Sequence, residues 1–326
     1  MLDNPSQSED IIDKRIPVGI SRCLLGEEVR YNGGHKLSRF CRDQLGEWFR
    51  YVDVCPEVEI GLGVPREPMR LVEREGEIRV LEIKGSSNDH TDKLRNLADT
   101  HQQWISNLCG FVFMQNSPSC GLFRVKAYHP NGNVLHTDAK GAFAQRVHEL
   151  MPWLPMEEAG RLTDAKLREN FITRVFVFSE WRELTAQGLS RKNIIEFHAR
   201  HKYLVLAHSQ RYYKVLGKLL SRAGFYSVST LALRYEKLLL SGLKSVAGRK
   251  GHTNALQHMQ GYVSKGLSPA QREDLTNLIE SYRNGDIPLV APLVLLRHYS
   301  GLGGEYFREQ TYLQPHPKTL GLYNQV

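Results

Sequence analysis

Apolar positions change their period about halfway along the chain. In residues 16–150, short β-branched and aromatic runs alternate with stretches of helical spacing. Val18-Gly19-Ile20-Ser21, Tyr51-Val52-Asp53-Val54 and Phe111-Val112-Phe113-Met114 have the length and make-up of buried strands. Helical spacing fills residues 37–49 and 91–108; in the second stretch Leu94, Leu97, Ala98, His101, Trp104, Ile105 and Leu108 recur on one face. Two hairpins are legible. Residues 71–74 and 77–83 flank the turn Glu75-Gly76, and residues 123–128 face 134–136 across Asn131-Gly132. This alternation predicts an α/β domain with a mostly parallel sheet and appended hairpins.

From about residue 169 the strand signal stops, and residues 171–184, 191–220, 231–243 and 253–263 all carry helical spacing. Ser268-Pro269-Ala270-Gln271 reads as a helix start, with Ser268 as N-cap, Pro269 in the first turn and Gln271 closing a capping box. Asn284-Gly285 reads as the end of that helix. The second half is therefore expected to be all-α. The boundary falls near 155–170, after Pro152 and Pro155, giving domains of 16–155 and 165–326.

Composition bounds what these domains do. A chain of 326 residues with 41% hydrophobic content can fill two modest cores. It contains no run near the roughly 20 apolar residues of a membrane span. Residues 1–14 are polar and acidic, without the apolar core of a secretory signal. Five scattered cysteines, an odd number, point to free or metal-bound thiolates in the cytoplasm and away from a disulfide framework. Charge divides the chain more sharply than hydropathy does. Residues 1–170 hold 22 Lys+Arg against 25 Asp+Glu, a net −3, whereas residues 171–326 hold 21 against 10, a net +11. Such asymmetry suggests a polyanion partner for the helical half. There Arg211, Lys214, Lys218 and Arg222 share one helical stripe, Lys244, Arg249 and Lys250 add charge nearby, and Tyr203, Tyr212, Tyr213 and Tyr226 supply rings that could stack on bases. A solvated basic face with core tyrosines is the plainer reading of the same residues.

Three cysteines share a placement that the other two lack. Cys23 lies two residues past the first strand, Cys55 directly follows the second, and Cys120 sits in the loop Asn116–Gly121 past the third. In an open α/β sheet, ligands gather beyond the carboxyl ends of the strands. If the three strands are parallel neighbours, their cysteines converge. Cys41 falls within a helical pattern and Cys109 precedes a strand, so both read as small core hydrophobes. Three thiolates suit zinc with a water in the fourth position, or a cubane cluster with one iron lacking a protein ligand. The spacing does not choose between these, nor does it exclude three structural cysteines.

The segments Gly19-Ile20-Ser21-Arg22-Cys23-Leu24-Leu25-Gly26, Val29-Arg30-Tyr31-Asn32-Gly33-Gly34, Cys55-Pro56-Glu57-Val58 and Ser117-Pro118-Ser119-Cys120-Gly121 resemble the thiouracil desulfidase family. The resemblance spans residues 16–150, and the whole chain looks like two-domain relatives that remove sulfur from 4-thiouridine in tRNA. It implies a 4Fe–4S cluster held by Cys23, Cys55 and Cys120 with one open iron, and a catalytic carboxylate and hydroxyl, placed at Glu57 and Ser117. Asn32 departs from a pattern in which many relatives carry Asp.

The implied reaction is hydrolytic and non-redox. A soft thiocarbonyl sulfur meets the open iron, Glu57 takes a proton from the attacking water, Ser117 hydrogen-bonds the substrate or relays a proton, and sulfide is released. Glu59 is the rival base, and an ion pair with Arg22, Arg30, Arg66 or Arg70 is the plain structural role for Glu57. The partner implied is tRNA, with no membrane and no protein partner. Two alternatives remain: the same chemistry on free thiouracil, against which the +11 half argues, and a non-catalytic iron–sulfur sensor that binds nucleic acid.

Overall fold

The computed structural model describes residues 14–84 and 88–322. The polar segment 1–13 and the last four residues of the expected second domain lie outside them. Among the described residues the first half holds eight strands: β1 (Ile16–Ser21), β2 (Phe49–Val54), β3 (Met69–Arg74), β4 (Glu77–Glu82), β5 (Gly110–Phe113), β6 (Val125–Tyr128), β7 (Val134–Ala139) and β8 (Met156–Glu158). The helices beside them are α1 (Pro56–Glu59), α2 (Thr91–Thr100), α3 (Gln102–Ile105) and α4 (Ala142–Leu150). One sheet has the order β2-β1-β5-β8 and is parallel throughout. Val18, Ile20, Phe111, Val112 and Phe113 are fully buried in it, as both-face burial of a parallel sheet demands.

The two expected hairpins form where their turn residues placed them. Glu75 and Gly76 both have positive φ, 56° and 84°, which matches the twist of a two-residue hairpin turn. The hairpins also join: β3 pairs parallel with β6, giving a second sheet of order β4-β3-β6-β7. A small separate core of Leu71, Val80, Leu94, Val125, Ala127 and Ala142 lies under it.

Some expected helices come out differently. Residues 37–49 are mostly not an α-helix but a π turn over Phe40–Gln44 and a 3₁₀ turn over Leu45–Glu47. The backbone N–H groups of Lys36 and Ser38 donate to Cys23 and Leu24 carbonyls, and Phe49 already pairs with Ile16, so tertiary bonds claim both ends. The 91–108 stretch breaks at His101, whose ring bonds Glu59 at 2.7 Å. β8 was not legible, because a three-residue strand with two glutamates carries no strand pattern.

The second half is helical: α5 (Ala165–Ala186), α6 (Arg191–His208), α7 (Gln210–Leu220), α8 (Val228–Leu243), α9 (Arg249–Val263), α10 (Pro269–Asn284), α11 (Val290–His298) and α12 (Gly304–Arg308). The 191–220 stretch divides at Ser209, which is extended and caps α7 by accepting from the Tyr212 N–H. The capping box of α10 is complete: Ser268 Oγ accepts from the Gln271 N–H and Gln271 Oε1 from the Ser268 N–H, with Gly285 left-handed at the far end. Helix α5 ties the halves together. Its Phe171 and Val175 fill the space against Gly110 of β5, while Trp181 packs on Phe197 and Tyr235 of α6 and α8. One apolar core therefore runs from the parallel sheet into the helices. No helix among the described residues is long and apolar enough to cross a membrane.

Candidate functional site

Strands β2, β1 and β5 are parallel neighbours, so their carboxyl ends open on one side. Each is followed there by a cysteine. Cys23 sits in a 3₁₀ turn, Arg22–Leu25, that ends at left-handed Gly26 (φ 104°). Cys55 caps α1, with Pro56 at its first position. Cys120 lies in the loop after β5. All three line one cavity of about 480 Å³, together with Glu57, Ser117 and Ser119. Cys41 and Cys109 are buried in the core and do not line it.

Close backbone packing holds the Cys120 loop. Ser117 Oγ accepts from the Ser119 and Cys120 N–H groups at 3.3 and 3.1 Å. A β-carbon on Gly121 would lie 2.3 Å from Val125, and one on Gly141 would lie 2.5 Å from the Ser119 carbonyl carbon, so both positions need glycine. Buried Glu158 on β8 accepts the Leu122 and Phe123 N–H groups at 2.8 and 2.9 Å, which pins the loop's exit.

Burial pushes the Cys23 thiol up to about 11, with Cys55 beside it adding to the effect. Burial likewise raises Cys55 and Cys120. Without a metal these thiols stay protonated at neutral pH, so they are poor free nucleophiles and become thiolates when a cation binds. Among the described residues no three His, Cys, Asp or Glu side chains converge closely enough to hold a single metal ion. The three thiols stand around the cavity without meeting at one point.

Glu57 is 9% exposed and doubly held. Arg66 Nε and Nη2 reach its Oε2 at 2.8 and 2.6 Å, and Ser119 donates to its Oε1 at 2.6 Å. Arg66 also donates to the carbonyls of Gly63 and Val29. The ion pair considered for Glu57 therefore exists, and the carboxylate lines the cavity as well. Glu59 turns away toward Arg22 and His101, at 3.1 and 2.7 Å, and does not line it. Asn32 Oδ1 accepts the Gly34 N–H and shapes its own loop. The sequence pattern pointed to neither Ser119 nor Glu158 as a contributor. Ser119 stood inside a recognised motif, and a buried glutamate gave no signal.

In the helical half, Arg211, Lys214, Lys218 and Arg222 are all exposed along α7 and its end, and none pairs with a carboxylate among the described residues. Beside the start of α7 lies a cavity of about 820 Å³ lined by Arg249, Lys250, Arg283, Asn254 and Gln257. Arg249 and Lys250 lie in the first turn of α9. Tyr203 is core, donating to the partly exposed Tyr262 at 2.9 Å.

Two family models match different segments of the chain. The family model described as 2-thiouracil desulfurase matches residues 18–159, and one described as a protein of unknown function, DUF1722, matches residues 202–317. The chain is 31% identical over 156 residues to the uncharacterized protein YbgA of Escherichia coli strain K12, covering 47% of this chain and 92% of that one. It is 34% identical over 109 residues to the uncharacterized protein YbbK of Bacillus subtilis strain 168, covering 31% and 71%. A solved structure named as the [4Fe-4S]-dependent thiouracil desulfidase TudS is 27% identical, with a TM-score of 0.37, covering 46% of this chain and 94% of that one. The α/β segment that brings the three thiols to one cavity is the segment the first model matches, so the likeness to the 2-thiouracil desulfurase family lies in residues 18–159.

Proposed function

We propose that the chain is an iron–sulfur-dependent desulfidase that hydrolyses a thiolated uracil without redox change, and that its substrate is 4-thiouridine in tRNA. One observation carries the reading: three cysteines from three adjacent parallel strand ends share a cavity with a buried carboxylate and a serine hydroxyl. The donor set fits a 4Fe–4S cluster. Cys23, Cys55 and Cys120 offer three soft sulfurs around a cavity of about 480 Å³, and a cubane holds one thiolate on each ligated iron. When bound, such a cluster would supply an iron free of protein ligands, a Lewis acid for a thiocarbonyl sulfur.

The chain's own residues do the rest. Glu57 accepts one proton of the attacking water as its oxygen bonds to the ring carbon; the C–S bond then breaks, and the sulfur leaves as hydrogen sulfide with that proton and the water's second one. Arg66 fixes the carboxylate through the Nε–H hydrogen bond and the ion pair of its guanidinium with the same oxygen. Ser117 presents its hydroxyl to the cavity while its oxygen is engaged by two backbone N–H groups. The polyanionic form of the substrate is favoured by the net +11 of residues 171–326, by the unpaired stripe on α7 and by the basic cavity next to it.

Anaerobic purification with iron and acid-labile sulfide analysis, followed by sulfide release from thiolated tRNA and from free 4-thiouracil, tests both levels. Sulfide from the tRNA at a rate well above that from the free base is expected. Equal turnover of the free base would move the substrate to the small molecule. A cluster-loaded protein inert toward both would favour the sensor.

A further inference from the structure

Ser119 is 1% exposed, yet its hydroxyl stands where the polar contacts of the cavity floor meet. Its Oγ donates to Glu57 Oε1 at 2.6 Å, lies 2.9 Å from Ser117 Oγ and 3.7 Å from Cys120 Sγ. A hydroxyl has one proton to give, and a carboxylate at 2.6 Å is a far stronger acceptor than a thiol at 3.7 Å. Its oxygen therefore stays open to a donor, and Ser117 is the neighbour that can be one. Ser117 Oγ already accepts from two N–H groups, so its own proton is left for Ser119 or for a bound ligand.

A carboxylate has about four lone-pair sites on its two oxygens. Arg66 Nε donates to Oε2, with Nη2 at ion-pair distance from the same oxygen, and Ser119 occupies one site on Oε1. One site on Oε1 remains. The backbone under the Ser119 hydroxyl is fixed: the Ser119 carbonyl accepts from Phe143 and Ala144 at 3.1 Å each, and Gly141 packs against its carbonyl carbon. Among the described contacts none joins Glu57 to Ser117 directly; the link between them runs through Ser119.

We infer that Ser119 is a positioning residue, which aims the remaining lone pair of Glu57 Oε1 into the cavity and couples Ser117 to Glu57 so that the two act as a unit. This rests on the proposal that Glu57 takes the water's proton. In the full chain, Ser119→Ala and Ser119→Gly remove the hydroxyl and Ser119→Thr keeps it. Loss of the hydroxyl is expected to leave iron and sulfide content unchanged and to lower kcat by about 10- to 100-fold with KM unaltered. Ser119→Thr should recover most of that loss. Combining Ser117→Ala with Ser119→Ala should cost less than the product of the single losses, as for residues acting together.

A second readout needs no turnover. In protein free of cluster, the infrared carboxylate band that disappears in Glu57→Gln should shift in Ser119→Ala and Ser119→Gly and return in Ser119→Thr. An unshifted band, an unchanged kcat, or a threonine variant as impaired as alanine overturns the inference. A shifted band in a protein whose wild type turns over neither thiolated substrate supports the Ser119–Glu57 link and overturns the desulfidase reading instead.

Discussion

The two halves of this molecule use their polar residues in opposite directions. In the α/β half, the groups that matter point inward, to a cavity at the ends of β2, β1 and β5, and each is held by backbone bonds or by a buried partner. In the helical half, the net positive charge lies outside, along α7 and beside α9, with few partners, while its buried polar groups include five histidines, His198, His201, His208, His252 and His316. The first arrangement suits chemistry on a small group, where a fraction of an ångström decides the rate. The second suits a large anion, where summed charge matters more than any single contact.

The largest effect should come from the thiols. Cys23→Ser, Cys55→Ser and Cys120→Ser are each expected to abolish the cluster's visible absorption in anaerobically prepared protein, while Cys41→Ser and Cys109→Ser retain it. The reverse outcome in folded protein would place the metal site elsewhere. Next in size is Glu57→Gln, which should keep iron and sulfide yet lose about 10²- to 10⁴-fold in turnover, as should Ser117→Ala to a smaller extent. Full activity in Glu57→Gln would remove the carboxylate from the chemistry, and Glu59, turned toward Arg22 and His101, is then the group to substitute.

A milder change is expected from the outward charge. Reversing Arg211, Lys214 and Lys218 should weaken tRNA binding and lower the log–log salt slope by about 2 to 3, with turnover of a free base unaltered. Identical slopes for both proteins would transfer the contact to the cavity lined by Arg249, Lys250 and Arg283.

The smallest effect concerns acid. Burial depresses His198, His208 and His316 from the ordinary 6.5 to about 4, and His252 to about 3. Between these values the unfolded chain binds protons that the folded one does not. Stability is therefore full above about pH 6.5 and falls as pH drops toward 4. The paired carboxylates of the first half, such as Glu82 and Asp89, lie below their ordinary values, so their contribution is lost only at lower pH. Urea midpoints at pH 7 and 5, with segment-resolved hydrogen exchange corrected for intrinsic rate, should show the helical half loosening first. Unchanged midpoints would mean that these histidines are not held neutral.

Much of the fold was legible because its signals are local. Glu75-Gly76 can only turn tightly, Ser268 and Gln271 cap a helix reciprocally, and buried runs such as Phe111–Met114 read as strands wherever they pack. The misreadings arose where distant backbone outbid local pattern. Residues 37–49 have helical spacing, yet the carbonyls of Cys23 and Leu24 take the N–H groups of Lys36 and Ser38 at one end, and Ile16 of β1 donates to the Trp48 carbonyl at the other. At the site, the three cysteines stood out by their place after strands. Ser119 and Glu158 did not, since what makes them matter is a partner 62 residues away in one case and 36 in the other.

By itself the sequence determined the class of each half, the positions of several turns and caps and the division of charge, and it set three thiols apart by their place after strands. These follow from periodicity, from backbone preferences of single residues and from motifs short enough to read in a line. Only the tertiary structure decided that β2, β1 and β5 are adjacent and parallel, which is what turns three separate cysteines into one cavity. It also decided that α5 joins both halves in a continuous core, and that Glu57 is held between Arg66 and Ser119. The physical reason is the same in each case: strand order, shared burial and a carboxylate's partners are set by contacts between residues far apart in the chain, and no local preference encodes them.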